Sequence, residues 1–408
     1  MADEYQKALG RKIAFHRKRR GLSQKELAAR LERSEAWVSQ VERGVRKVDR
    51  MSVLEKIADV LDLPVAELAA EAPVVASVSE EPPGASRLRL LLSSAHSLNA
   101  MLREHPAPDV DRLRERTSHA WDLVHAGKYA DLTDVLESLV PELEAGIRAV
   151  PDSERGELFR LLATAYQACS AALAKLGEPE AAWIAADRAI VAGERADDVL
   201  LMAASQFRLS LVFLGARQFA QAEQTARTAS EALRPLVEAW LPAGASLWGA
   251  LTLQRAMAAA SSNNADAAYQ HLDAAAKVAR DVVGSGRNDY NTEFGPSNVA
   301  LHRVAAAVEL GDAGVALRAA DGVDTSGLSA ERQARFLIDV ARAHVQRRQG
   351  DEAVARLEEA ERLTPEQTRA HRHVRQMVAD LLTIQDPPSL ALLGLARRVG
   401  VLPVRTDT

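Results

Sequence analysis

Glu35, Ala36, Ser39, Gln40 and Arg43 stand at i, i+1, i+4, i+5 and i+8, the spacing that aligns side chains along one exposed stripe of a helix. The stripe is short, polar and small enough to enter a groove, and its chemistry is hydrogen bonding rather than bond making. Charge points the same way. Residues 1–50 hold 14 Lys and Arg against 7 Asp and Glu, whereas residues 71–408 hold 36 against 45, so a basic head precedes an acidic body within an overall −5. Positive charge concentrated in a short N-terminal stretch is the footprint of a polyanion-binding module.

The elements that must position this stripe are legible around it. Residues 5–20 mix Leu9, Ile13 and Phe15 with bases and form a first helix, closed by Gly21. Ser23-Gln24-Lys25-Glu26 fits the capping box, in which the Ser hydroxyl and Glu carboxylate satisfy the free amides of a new helix reciprocally. That helix runs to about Leu31 with Leu27, Ala28 and Leu31 inward. After a brief turn, Ser34 caps another with Trp37, Val38 and Val41 inward and Gly44 at its end. Two such helices around a short turn make a helix-turn-helix, whose second helix lies in the major groove of DNA.

Ser23-Gln24-Lys25-Glu26-Leu27-Ala28, Ser34 and Trp37-Val38-Ser39-Gln40-Val41-Glu42-Arg43-Gly44 together resemble the lambda-repressor/Cro-like helix-turn-helix family, the XRE regulators. The match spans about residues 5–70, with a fourth helix near Met51–Leu61, a fifth opened by Pro64, and Leu54, Ile57, Ala58 and Leu61 completing the core. The resemblance implies that Gln24 and Gln40 approach phosphates or base edges, and that Glu35, Ala36 and Ser39 help set sequence preference. The residue types suit those roles, since Gln presents a donor and an acceptor to adenine, Glu accepts from cytosine and Ala touches a thymine methyl. Arg11, Arg17, Lys18, Arg43, Arg46 and Lys47 would neutralise phosphates, about one counterion released per contact. Trp37 is expected to pack against the scaffold. The family often has Gly where Glu32 stands, at the turn between the two helices.

Residues 71–86 break the helical texture with Pro, Ser and Gly and read as a linker. From Arg87 to about Leu382 the chain returns to long Ala/Leu-rich amphipathic segments with no strand pattern, so the fold class is all-α. Turn residues at Gly127, Gly177, Gly215, Asn263 and Gly311 separate helical hairpins, and Ala182, Ala220, Ala268 and Ala316 each fall five residues after their turn. Small residues there let paired helices approach, and the stretch resembles degenerate tetratricopeptide repeats forming an α-solenoid. The expected division is a DNA-binding domain over 1–70, a linker over 71–86 and a sensor and dimerisation domain over 87–408.

A solenoid of this kind presents a binding surface for a peptide, a protein or a small ligand. Residues 284–303 interrupt the Ala/Leu monotony with Asn, Tyr, Phe, Gly and Pro, which makes Phe294, Asn298, His302 and Arg303 candidate ligand-binding residues, with a long packing loop as the plainer alternative. The run Arg369, His371, Arg372, His373, Arg375 reads as a solvated helix face. The two histidines, two residues apart, point to different sides of a helix and make a poor metal pair.

No nucleotide-binding glycine loop, metalloprotease motif or nucleophile elbow occurs, so an enzyme is not expected, nor a cofactor or a metal. The single cysteine, Cys169, has no partner for a disulfide or a CxxC pair and reads as a small buried hydrophobe. No apolar run is long enough to cross a membrane and the start is acidic, so a cytoplasmic protein is expected. The whole reads as a bacterial transcription regulator, a homodimer on double-stranded DNA whose activity an effector modulates. The alternative is a protein-protein interaction adaptor whose head does not read DNA.

Overall fold

The computed structural model describes residues 2–19, 22–46, 48, 51–61, 65, 68, 84–93, 106–284, 287–385 and 387–401. The protein is all-α: the described residues form helices and no strand. The chain divides into two compact units, the first reaching Ser77 and the second running from Val78 to Val401. Among the described residues no helix is long and apolar enough to cross a membrane.

In the first unit, α1 (Ala2–Arg19), α2 (Gln24–Arg30), α3 (Glu35–Glu42) and α4 (Met51–Leu61) surround one small core. Leu9 and Ile13, Leu27 and Leu31, Val38 and Val41, and Leu54, Ile57 and Leu61 supply it, each pair three or four residues apart on its helix. Leu68 joins them with Val65 half-buried beside it, but the other residues of the expected fifth helix, Pro64 included, lie outside the described residues. Gly10 sets how closely α1 meets the end of α3. A Cβ there would stand 2.4 Å from the Val41 carbonyl oxygen, so no other residue fits without moving backbone.

The turn after α2 ends on Glu32 at φ 55, the left-handed position where glycine is favoured. Glu32 N–H donates to Ala29 O (3.2 Å) and Arg33 N–H to Ala28 O (2.9 Å), the paired bonds of a Schellman cap. α3 ends the same way, with Gly44 at φ 70 donating to Val41 O and Val45 donating to Gln40 O. Glu32 therefore takes the turn position that glycine favours, at the steric cost of a left-handed side-chain-bearing residue.

The second unit opens with α5 (Ala85–Leu92), whose first two residues fall inside the expected linker; residues 71–83 of that linker lie outside the described residues. It continues through α6 (Val110–His125), α7 (Tyr129–Ala149), α8 (Arg155–Lys175), α9 (Pro179–Arg195), α10 (Val199–Gly215), α11 (Phe219–Glu238) and α12 (Pro242–Ser261). There follow α13 (Ala265–Val278), α14 (Pro296–Leu310), α15 (Ala313–Ala320), α16 (Ala330–Gln346), α17 (Gly350–Leu363), α18 (Pro365–Ala370), α19 (Arg372–Ile384) and α20 (Leu390–Arg398). Through much of the body helices pack on the next in sequence and on the next but one, as α8 does on α9 and α10, and α12 on α13 and α14. This is a helical repeat-like body.

Most of its turns follow one pattern. A residue takes the left-handed region, and the residue five positions later is fully buried: Ala182 after Gly177, Ala222 after Arg217, Ala268 after Asn263, Ala316 after Gly311, Ala353 after Arg348; Met202, five after the left-handed Asp197, is half-buried instead. Ser170 Oγ donates to Ala182 O and Ser210 Oγ to Ala222 O, both at 2.9 Å, so successive hairpins repeat a contact as well as a shape. The sequence register around Gly215 is corrected here. Gly215 is the last residue of α10, Arg217 takes the left-handed turn at φ 63, and Ala222 holds the buried position while Ala220 is exposed.

The late helices return to the early ones. Tyr129 Oη donates to Gln367 Oε1 (2.9 Å), Ala130 N–H to Glu366 Oε2 (3.0 Å), and Lys175 pairs with Glu331, while α16 packs on α6. Polar side chains from distant parts of the sequence are thereby buried together.

Candidate nucleic-acid interface

Two caps fix the helix-turn-helix. Ser23 Oγ accepts from Glu26 N–H (3.1 Å) while Glu26 Oε2 accepts from Ser23 N–H (2.7 Å), the reciprocal box expected from the sequence. These bonds hold the Glu26 carboxyl below its usual range. Ser34 Oγ accepts from Trp37 N–H (3.2 Å) and starts α3 at Glu35.

On α3, Val38 and Val41 are buried and Trp37 is half-buried against the same core, with the Arg33 guanidinium 5.8 Å from its ring centre. The opposite side presents Glu35, Ala36 and Arg43 exposed, with Ser39 and Gln40 half-buried between them. Arg43 Nε bonds back to Ser39 O (3.2 Å), which lays its guanidinium along the end of the stripe. Arg11, Lys18 and Arg46 are exposed; Lys47 lies outside the described residues.

Arg17 does not join that exposed basic set. Only 7% exposed, it gives Nε to Glu42 Oε1 (2.6 Å), Nη2 to Glu42 Oε2 (3.1 Å) and Nη1 to Leu22 O (2.6 Å). Its expected phosphate role is replaced by a structural one, because a guanidinium held bidentately by a buried carboxylate is already neutralised. Gln24 Nε2 donates to the same Glu42 Oε2 at 2.7 Å. Glu42 thus ties α1, α2 and α3 together and fixes the Gln24 amide at the start of α2. No spacing rule in the sequence marked Glu42, since its partners lie 25 and 18 residues away.

In the body the four candidate ligand residues do not form one face. Phe294 is 1% exposed and its ring sits on Gly249, where a Cβ would meet it at 2.0 Å. Asn298 is buried and donates to the Thr292 and Glu293 carbonyls (3.3 and 3.0 Å), so it holds the loop shut. His302 Nδ1 meets Asn298 O at 2.8 Å, and burial, helped by Arg332, pushes its pKa down to about 4. Arg303 pairs with Asp273 at the surface. Phe294, Asn298 and His302 therefore build and anchor the loop, because its apolar and amide groups find partners inside the body.

The basic run near residue 371 is not simply a solvated face. His371 Nε2 accepts from Arg335 Nη1 (2.8 Å), the His371 and His373 rings lie 5.4 Å apart, and burial pushes the His373 pKa to about 2. Cys169 is buried, and burial pushes its thiol up to about 12.

A helix-turn-helix domain family model matches residues 8–70 of the chain. No curated protein matches it. Among solved structures, the chain is similar to Bacillus thuringiensis PlcR in complex with the peptide PapR7 and DNA, at 15% identity over 67% of this chain and 94% of that one, with a TM-score of 0.25. It is also similar to the apo form of the competence regulator ComR from Streptococcus vestibularis, at 12% identity over 74% of this chain and 99% of that one, with a TM-score of 0.24. The head is a helix-turn-helix DNA-binding domain.

Proposed function

We propose that the protein is a sequence-specific transcription regulator of the lambda-repressor/Cro-like (XRE) type, non-enzymatic and cytoplasmic. The head over residues 1–70 reads double-stranded DNA, residues 71–86 link it to the body, and residues 87–408 form a tetratricopeptide-like sensor and dimerisation domain. The observation that carries this reading is the division of α3, with Val38 and Val41 buried on one side and Glu35, Ala36 and Arg43 exposed on the other. A helix so divided, with hydrogen-bonding side chains outward and a basic rim, suits the major groove.

The working unit is a homodimer on a palindromic operator, with half-sites about 34 Å apart or a multiple of that. A peptide, protein or small ligand in the body alters the separation of the heads and so the affinity for the operator. Gel shifts of the full chain with duplexes from its own promoter region test the reading. Gln40→Ala is expected to lose the preference for the specific duplex over a scrambled one. Equal binding of both duplexes by the unaltered protein refutes sequence-specific reading.

A further inference from the structure

Arg208, in the middle of α10, is a buried guanidinium with no acid beside it. It is 5% exposed, and among the described residues no carboxylate lies within ion-pair distance. Nη2 donates to the Tyr290 and Asn291 carbonyls (3.3 and 2.6 Å), while the adjacent Nε has no acceptor. Trp121 and Phe207 stack on it, with ring centres 4.6 and 4.9 Å from the guanidinium carbon.

The acids nearby are already used. Glu293 accepts from Ser329 N–H (2.8 Å) and Ser329 Oγ (2.9 Å) and faces Arg332 at 3.4 Å; Glu331 takes Lys175. Three cations thus face two carboxylates, and Arg208 is the one left over. Burial, and the nearby Arg332, lower its pKa to about 9 despite the opposing pull of Glu331 and Glu293. A charge buried without a counterion is costly, and the side-on edge of arginine, Nε with Nη2, is the edge that takes two oxygens of one oxyanion.

The segment over Arg208 is strained. Tyr290, Asn291 and Glu293 have φ of 52, 56 and 51, three side-chain-bearing residues in the left-handed region within four positions. The Tyr290 and Asn291 carbonyls are neutral acceptors on a guanidinium that lacks a paired anion.

We infer that Arg208 anchors an oxyanion, the carboxylate or phosphate of a small ligand, which enters beneath the 287–295 loop and displaces the loop carbonyls from the Nε–Nη2 edge. Trp121 and Phe207 hold the guanidinium plane, and Arg332 adds a second cation. The anion restores the missing counterion and releases a strained loop, which couples binding to a change in the body. This inference rests on the effector reading above and names the chemistry of the effector.

The test uses the full chain and four probes against sodium chloride at equal ionic strength: inorganic phosphate, glutarate, the tripeptide Gly-Ala-Leu, and its C-terminal amide. Thermal shift and tryptophan fluorescence are the readouts. At least one oxyanion probe is expected to raise Tm with dose and change the fluorescence, the amide doing neither. A response to phosphate, glutarate or the free tripeptide distinguishes the source of the oxyanion. Arg208→Met is expected to fold, since it removes an uncompensated charge, and to lose the response; Arg208→Lys is expected to weaken binding at least tenfold; exposed Arg112→Ala is expected to respond as the unaltered chain does.

No probe exceeding chloride overturns the inference. So does an undiminished response in Arg208→Met or, should that variant not fold, in Arg208→Lys. Operator affinity with and without the responding probe separates the two readings. Anion binding that leaves operator affinity unchanged sinks the effector reading alone, and intact DNA binding without anion binding sinks this inference alone.

Discussion

Glu42 at the end of α3 receives both Nε and Nη2 of Arg17 on α1, at 2.6 and 3.1 Å, with both side chains under a tenth exposed. The same carboxylate takes the Gln24 amide, so the position of a residue expected at DNA depends on one that cannot reach it. The geometry of the head is thus fixed from within, by a charge pair that joins α1 to α3.

Breaking this pair is expected to unfold the head rather than merely weaken it. Removing one partner of a buried ion pair leaves the other uncompensated, at a cost of about 3–5 kcal/mol. Glu42→Ala should therefore lose hydrogen-exchange protection at the α3 amides and lose DNA binding, with the helical body intact. The double variant Arg17→Met, Glu42→Leu should recover much of that protection.

The corrected register of the body has its own test. Ala222 is fully buried against α10 and Ala220 is exposed. Ala222→Leu should destabilise the body by about 1–3 kcal/mol through overpacking, and Ala220→Leu should change it by less than about 0.5 kcal/mol. Urea denaturation followed by circular dichroism measures both; equal effects would return the register to Gly215.

Acid should weaken the body through two half-buried histidines. Burial holds His302 near 4 and His373 near 2, against roughly 6.5 in an unfolded chain. Above about pH 6.5 neither state takes up these protons. As pH falls from there toward 4, the unfolded chain binds them and the native chain does not, so stability is lost at up to about 1.4 kcal/mol per pH unit for each histidine. Body Tm between pH 7.5 and 4.5 should fall less steeply for His302→Gln than for the unaltered chain.

The exposed bases should behave differently from Arg17. Replacing Arg11, Lys18 or Arg46 by Ala should weaken binding to every duplex alike and reduce the slope of log affinity against log salt by about 0.9 each, counterion release being sequence-independent. Titrations between 50 and 200 mM salt, on the order used for such slopes, measure this. A variant that changes sequence preference without changing the slope would place that residue on a base.

Local chemistry made the head legible. Ser23 with Glu26, Ser34 and Gly44 declare helix ends through their own backbones, and the spacing of Val38 and Val41 declares which side of α3 is buried. What stayed hidden depends on residues far apart in the chain. Arg17 has the same composition and helical setting as Arg11 or Lys18, and only the folded approach of Glu42 separates them. In the body, glycine misled at Gly215 because the turn took its left-handed residue from Arg217, a residue type that carries no turn signal. Phe294, Asn298 and His302 stood out as unusual residues in a helical sequence, and the unusual chemistry proved to be that of closing a loop. Arg208 stood in an ordinary helix among many arginines, and its lack of an ion pair exists only once α6, α10, α16 and the 287–295 loop meet.

The exposed side of α3 is expected to touch base edges. Selection of bound sequences from a random duplex pool, with the unaltered chain and with Glu35→Ala in parallel, tests this. A symmetric preferred sequence is expected, its preference relaxing at one pair of related positions in the variant. Identical preferences in the two proteins, or no enrichment at all at low ionic strength, would contradict it.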